Sequence, residues 1–190
     1  TIHVAEGKDF EALVQEKEGR FEYQDDLAGE IWTDRPEMSK EPVYTLDVKY
    51  AGKSREDKIQ DVRDAMKEAG ANVHIISSMD DIVWLLNIRG NIIYNPVVMS
   101  YVMVTMEQVH FYVQEEAVSE QVRAELEKAG VVLHDYFAIY EDVKALADES
   151  KIMLEDACTN YTLYKNLPEN VEVIFQSNPA AIMKGCKNET

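Results

Sequence analysis

Cysteine is scarce: Cys158 and Cys186 are the only two in 190 residues. Two thiols make no disulfide framework, so a reduced, cytoplasmic chain is the simplest expectation. In that setting the sequons Asn160-Tyr161-Thr162 and Asn188-Glu189-Thr190 carry no sugar. No apolar run approaches the roughly 20 residues of a membrane span. Basic residues are also few, 19 against 36 acids, for a net charge of −17. A surface that binds phosphates needs the opposite sign, which argues against nucleic acid and anionic membrane as partners. Neither repeats nor low-complexity tracts occur, and 46% hydrophobic residues is globular composition that excludes general disorder. A chain of this size buries roughly 70% of its unfolded surface, enough for a core without metal or disulfide staples. It opens at Thr1, with neither an initiator Met nor a basic-then-apolar leader, and reads as a piece of something longer.

Motifs of chemistry are missing as well. There is no G-x-G-x-x-G, no phosphate loop, no G-x-S-x-G and no C-x-x-C. The four histidines, His3, His74, His110 and His134, show no i, i+4 pairing, and three lie in predicted strands. A half-buried, hydrogen-bonded role is commoner there than metal ligation. Neither cysteine has a histidine near it in sequence, so a thiol nucleophile is unsupported. Asp80-Asp81 falls in the first turn of a predicted helix, where carboxylates cap amides and complement the dipole.

What is present is an alternating pattern. Residues 1–47 hold 13 acids and 5 bases. They suggest one helix after Asp9, a short one from Asp26 to Trp32, and an extended connector through Pro36 and Pro42. A boundary is expected near residue 48. Beyond it, Ser54 with Asp57 forms a capping box before a helix with Ile59, Val62, Ala65, Met66 and Ala69 on one face, stopped by Gly70. A strand over 73–77 follows, then a helix over 82–87 capped by Ser78 with Asp81, and a loop over 89–96. Two β-rich runs, 97–105 and 108–113, are joined only by Met106-Glu107, which demands an antiparallel hairpin. A helix from Ser119 to Ala129 precedes a strand over 131–134, and residues 139–147 read as helix. A strand over 151–154, a Thr159-capped helix to Leu167 and a strand over 171–175 come next. Asn178-Pro179 then gives an N-cap and the proline that the first helical position favours. The expected fold is α/β: a mixed, largely parallel sheet with helices on both faces.

One segment carries more than packing. Leu86-Asn87-Ile88-Arg89-Gly90 ends a helix, and Asn91-Ile92-Ile93-Tyr94-Asn95-Pro96 leads into a hydrophobic strand. Loops at element ends are where function concentrates. Arg89 offers a planar fork of donors suited to peptide carbonyls or a C-terminal carboxylate, with Gly90 expected to supply the backbone turn that aims it. The alternative has Asn87 and Gly90 capping the helix while Arg89 clamps its last carbonyls. The residues alone leave both open.

The run Asp80-Asp81-Ile82-Val83-Trp84-Leu85-Leu86-Asn87-Ile88-Arg89-Gly90, then Asn95-Pro96-Val97-Val98-Met99-Ser100-Tyr101, resembles the middle domain of three-domain Xaa-Pro aminopeptidases (aminopeptidase P). Ile31-Trp32-Thr33-Asp34-Arg35-Pro36-Glu37 resembles that family's inter-domain connector, and Tyr50-Ala51-Gly52-Lys53-Ser54 its entry to the middle domain. Lys184-Gly185-Cys186-Lys187-Asn188-Glu189 resembles the exit into the catalytic domain. The resemblance implies a fold like the N-terminal domain of creatinase and prolidase over 49–190, with 1–48 as the tail of a preceding domain plus linker. It implies no catalytic residue and no metal here. A separate C-terminal domain would carry two divalent ions, typically manganese, on Asp, Asp, His, Glu and Glu ligands, and would remove the residue before a second-position proline. Asn87, Arg89 and Asn95 become candidates for the wall of the substrate cleft. The implied partners are that catalytic domain of the same polypeptide, an Xaa-Pro peptide and a second copy in a homodimer. One departure stands out: four residues, not five, separate Gly90 from Asn95, and the family's Asp is absent from them. Neighbouring domains would leave exposed apolar residues around Trp32 and the 178–186 segment. The competing reading is a non-enzymatic, acidic protein-binding module that keeps the fold without the chemistry.

Overall fold

The computed structural model describes residues 2–23, 26–90, 92 and 94–186. Helix α1 (Val4–Glu16) and the short α2 (Leu27–Ile31) precede β1 (Tyr44–Thr45), α3 (Val48–Ala51) and α4 (Arg55–Glu68). Then come β2 (Val73–Ile76), α5 (Met79–Leu85), β3 (Ile88–Arg89), β4 (Ser100–Thr105) and β5 (Val109–Val113). The remainder is α6 (Glu120–Lys128), β6 (Val131–Asp135), α7 (Ile139–Asp142), β7 (Lys151–Leu154), α8 (Tyr161–Lys165), β8 (Glu172–Phe175) and α9 (Pro179–Gly185).

Six strands form one sheet in the order β6-β5-β4-β2-β7-β8. The pairs β5–β6, β2–β7 and β7–β8 are parallel; β4 is antiparallel to both β2 and β5. The expected mixed, largely parallel α/β sheet is therefore present. Side chains alternate across it. Val102 and Val104 of β4 join a core with Ile59, Val62 and Met66 of α4, Ile82 and Leu85 of α5, and Leu126 of α6. Tyr101 and Met103 point to the other layer, built with Ile139, Val143 and Leu163. That period of two on one strand and of three to four on the helices is what seats helices on both faces.

Local signals hold where the partner is local. The Ser54 hydroxyl accepts from the Asp57 amide at 3.1 Å, and Asn178 Oδ1 accepts from the Ala180 amide at 3.1 Å. Gly70 and Gly130 follow α4 and α6 with φ of 76° and 77°, a left-handed turn that glycine adopts without a Cβ clash. Distant partners move the rest. Helix α1 starts at Val4, well before Asp9, because the Val4 amide donates to the Thr159 carbonyl at 2.9 Å and Val4 is buried. Phe10 and Leu13, the expected apolar face of that helix, are each 48% exposed. Asn160 rather than Thr159 caps α8, accepting from the Leu163 amide at 2.8 Å. The expected helix over 139–147 is broken into the short α7 flanked by two 3₁₀ turns, still with Ile139 and Val143 buried one turn apart. Strand β4 begins at Ser100, not Val97, because the Val97 carbonyl is packed against Gly90. Trp32 and Ile182 are exposed, whereas Pro179 and Ala180 are buried. The expected helix start at Asn188 lies outside the described residues.

Gly7 is where α1 meets the body of the fold. A Cβ there would stand 2.2 Å from Cδ2 of the buried Tyr161 ring, too close without displacing one element. Gly7→Ala is expected to lower unfolding free energy by about 1–3 kcal/mol in urea melts. Gly185→Ala, whose Cβ meets nothing within 4 Å, is expected to be near neutral.

Candidate functional site

The segment singled out in the sequence folds as a joint. After α5, Leu86 keeps φ at −86° and Asn87 swings to φ 49°, a left-handed conformation that Asn tolerates better than most residues. Thus Asn87, not Gly90, makes the turn. Gly90 is needed for a different reason: a Cβ there would lie 2.1 Å from the Val97 carbonyl oxygen, and its amide donates to the Pro96 carbonyl at 3.0 Å. Arg89, expected to open the loop, instead joins Ile88 in β3, with Tyr44 opposite Arg89 and Thr45 opposite Ile88.

Asn87 is buried and every polar group it offers is used. Its Oδ1 accepts from the Lys58 ammonium at 2.6 Å, and its Nδ2 donates to the Lys53 carbonyl at 2.9 Å. Its own carbonyl accepts from the Leu46 amide at 2.7 Å. One residue, through its side chain and its carbonyl, thereby ties α4, the turn before it, the end of α5 and the connector. Arg89 shows the carbonyl-clamp contacts: Nη1 donates to the Val83 carbonyl of α5 at 3.1 Å and to the Ile88 carbonyl at 2.7 Å.

Arg89 borders an open cavity of about 490 Å³, walled also by Tyr50, Lys53, Asp61, Trp84 and Lys184. Lys58, inside the wall, donates to the Trp84 carbonyl at 2.9 Å, and its ammonium sits 4.1 Å from the centre of the Trp84 ring. Burial first, then the Arg89 and Lys53 charges, lowers its pKa from 10.5 to about 8. Lys53 pairs with Asp61, and Lys184 with Asp81 at 2.6 Å. Asp81 is not a free cap as expected. It is buried, and Asn178 Nδ2 donates to it at 2.9 Å, while Ser78 makes no capping bond. Asn178 Oδ1 in turn lies 3.0 Å from His74 Nε2, and His74 Nδ1 lies 2.9 Å from the Met153 carbonyl. Burial holds His74 below its ordinary pKa against these contacts, and a neutral ring makes only one of the two as a hydrogen bond.

Of the three candidates, Asn87 and Arg89 meet at this joint and Asn95 does not. Asn95 is exposed on the following loop, where its amide donates to the Ile92 carbonyl at 2.9 Å; Tyr94 beside it is 99% exposed with φ 72°. Asn91 and Ile93 lie outside the described residues, as do Lys187, Asn188 and Glu189 of the exit motif. Sequence reasoning passed over Lys58, although it stands four residues before Val62 on the apolar face of α4. A cation in such a stripe is the signal that finds it.

Elsewhere, His110 Nδ1 lies 3.0 Å from His134 Nε2 across β5 and β6, and the Tyr112 hydroxyl donates to Asp142 at 2.9 Å. Burial raises the Cys158 thiol pKa, which disfavours a thiolate. Among the described residues no group of three or more His, Cys, Asp or Glu could hold a metal ion, and no helix is long and apolar enough to cross a membrane.

Residues 34–190 match the family model of the Creatinase/Prolidase N-terminal domain. The chain belongs to that family. It is 32% identical over 158 residues to the Xaa-Pro aminopeptidase app-1 of Caenorhabditis elegans, spanning 80% of this chain and 26% of that protein. A probable Xaa-Pro aminopeptidase P of Leptosphaeria maculans is 32% identical over 199 residues, spanning 99% of this chain and 33% of the relative. Among solved structures, the X-prolyl aminopeptidase of Caenorhabditis elegans, a cytosolic enzyme with a dinuclear active site, superposes with a TM-score of 0.90 at 28% identity. That match covers 99% of this chain and 32% of the other. The Xaa-Pro dipeptidase of Bacillus anthracis matches at 18% identity with a TM-score of 0.50, over 72% of this chain and 37% of the other, a likeness of fold. The chain spans about a quarter to a third of the length of these curated relatives. Its described residues offer no set of ligands for a dinuclear centre.

The buried ammonium makes a test. Between about pH 8 and 10.5 an unfolded Lys58 keeps its proton while the folded one has lost it, so the unfolded state binds more protons and stability rises with pH. Below that window both states are protonated and this contribution is constant. Relative to Lys58→Met, the wild-type chain is therefore expected to gain unfolding free energy from about pH 8 to 10.5 in paired urea melts. A flat difference would mean that Lys58 is not held as a buried charge.

Proposed function

We propose that this chain is the non-catalytic middle domain of a Xaa-Pro aminopeptidase, preceded by the tail of a first domain and a linker over residues 1–48. The observation that carries the reading is the 0.90 TM-score over 99% of the chain to an X-prolyl aminopeptidase of which it covers 32%. The rest of such a polypeptide supplies the dinuclear site, and this domain supplies a wall of the substrate cleft and part of the subunit architecture. Within the wall, Asn95 and Tyr94 stand exposed on the loop after β3. Asn87 and Arg89 fix the base of that loop, and the uncommitted donors of Arg89 are suited to a peptide carbonyl or carboxylate. The catalytic domain of the same polypeptide, an Xaa-Pro peptide and a second copy in a homodimer are the partners this reading names. Nucleic acid is not among them, because a net charge of −17 is of the wrong sign for a phosphate backbone.

The test uses the longer polypeptide that contains this sequence. It is expected to release the residue before proline from Xaa-Pro peptides in manganese and to stop with a chelator, whereas the 190-residue chain alone releases none. A longer polypeptide that binds basic proteins yet leaves Xaa-Pro bonds intact would establish the acidic binding module instead. Arg89→Ala in that polypeptide is expected to lower kcat/KM by roughly tenfold to a hundredfold, about 1.4–2.7 kcal/mol, at unchanged melting temperature. A fall in melting temperature with normal kinetics per folded molecule would make Arg89 a clamp on the Val83 carbonyl and nothing more.

A further inference from the structure

Lys58 and Arg89 border one cavity, and neither has a carboxylate partner among the described residues. This is unexpected in a chain where acids outnumber bases 36 to 19. The neighbouring Lys53 and Lys184 do have carboxylates, on Asp61 and Asp81. We propose that the cavity is a carboxylate-binding site, in which one carboxylate bridges the Lys58 ammonium and the Arg89 guanidinium while the apolar part of its bearer lies against Trp84 and Met183.

Donor arithmetic supports the site. An ammonium has three donors and a guanidinium five. Lys58 spends two, on the Trp84 carbonyl and Asn87 Oδ1; Arg89 spends only Nη1, on the Val83 and Ile88 carbonyls. Charge supports it too. Burying a cation without a counter-charge costs several kcal/mol in general, and an arriving anion offsets that cost at the buried Lys58 while also meeting the half-buried Arg89. The volume of about 490 Å³ lies within the range of small-ligand pockets, and Trp84 and Met183 give it an apolar wall. A single carboxylate suits it better than a phosphate. The planar fork of Arg89 matches two coplanar oxygens, and the field of a −17 chain penalises each additional negative charge on a ligand. The carboxylate has two sources of the same chemistry: a free carboxylic acid, or an acidic side chain of an adjoining protein segment. The inference goes beyond the aminopeptidase reading and stands whether or not that reading holds.

Trp84 reports on the cavity once Trp32, the only other tryptophan, is replaced in a Trp32→Phe background. The full chain would be titrated with N-acetyl-leucine, with the uncharged N-acetyl-leucinamide, and with a doubly capped Ala-Glu-Ala tripeptide whose only carboxylate is a side chain. A saturable change in Trp84 fluorescence is expected for at least one carboxylate, at least about tenfold tighter than for the amide. Tighter binding of the free acid assigns the site to a small molecule; tighter binding of the capped tripeptide assigns it to a protein side chain. Lys58→Met and Arg89→Gln are each expected to weaken binding by about tenfold or more. The comparison of acid with amide needs no change at the site, so it stands if either variant fails to fold. No saturable response to either carboxylate, an amide binding within about threefold of the acid, or full binding by both folded variants would overturn the site.

Discussion

A lysine ammonium buried beside the end of a helix is the constraint on which this domain's site depends. Lys58 reaches from α4 to the Trp84 carbonyl and to Asn87 Oδ1, and in doing so it fixes where α5 must stop. Removing a charge from water is tolerated only when its donors are satisfied. Asn87 satisfies one of them only in its left-handed turn, with φ at 49°. That turn sends the chain into β3, where pairing with Tyr44 and Thr45 anchors the connector, and it places Arg89 under the Val83 carbonyl of α5. Gly90 then lets the returning Val97 carbonyl approach closely. The loop that follows, with Asn95 and Tyr94 exposed, is thus carried on a base whose every joint is hydrogen-bonded.

A second network stiffens the same region from the other side. Lys184 on α9 reaches Asp81 on α5, Asp81 accepts from Asn178, and Asn178 meets the buried His74 of the central strand β2. Helices α4, α5 and α9 therefore close on one cavity through polar groups drawn from three parts of the chain. The result is a small cationic recess on a strongly acidic molecule, where a screened outer surface and an unscreened interior cation act on very different scales.

What the sequence made legible was whatever its own neighbours decide. The Ser54 cap, the Asn178-Pro179 start, the glycine stops at Gly70 and Gly130 and the two-residue hairpin at Met106-Glu107 all depend on residues within a few positions. Alternation of strands and helices gave the mixed sheet by the same local logic, and the segment from Asp80 to Tyr101 pointed to the family. The misplacements share a cause. Val4 starts α1 because Thr159 waits for its amide; Asp81 leaves the cap because Asn178 and Lys184 hold it; Arg89 enters a strand because Tyr44 lies opposite. Each partner is tens of residues away or more, beyond the reach of periodicity. Of the candidate site, Asn87 and Arg89 were visible from their position at a helix end, whereas Lys58 was hidden as one polar residue in an apolar stripe.

The most direct measurement of this account is the coupling between Lys58 and Asn87. A double-mutant cycle of Lys58→Met and Asn87→Ala, read by urea unfolding at neutral pH, cancels the backbone cost of losing Asn at a left-handed position. If the ammonium–amide bond holds the joint together, the coupling is about 1.5–3 kcal/mol, the range for a hydrogen bond to a charged group. Strictly additive losses would show that α5 ends where it does without Lys58, and the joint would then owe its geometry to packing alone.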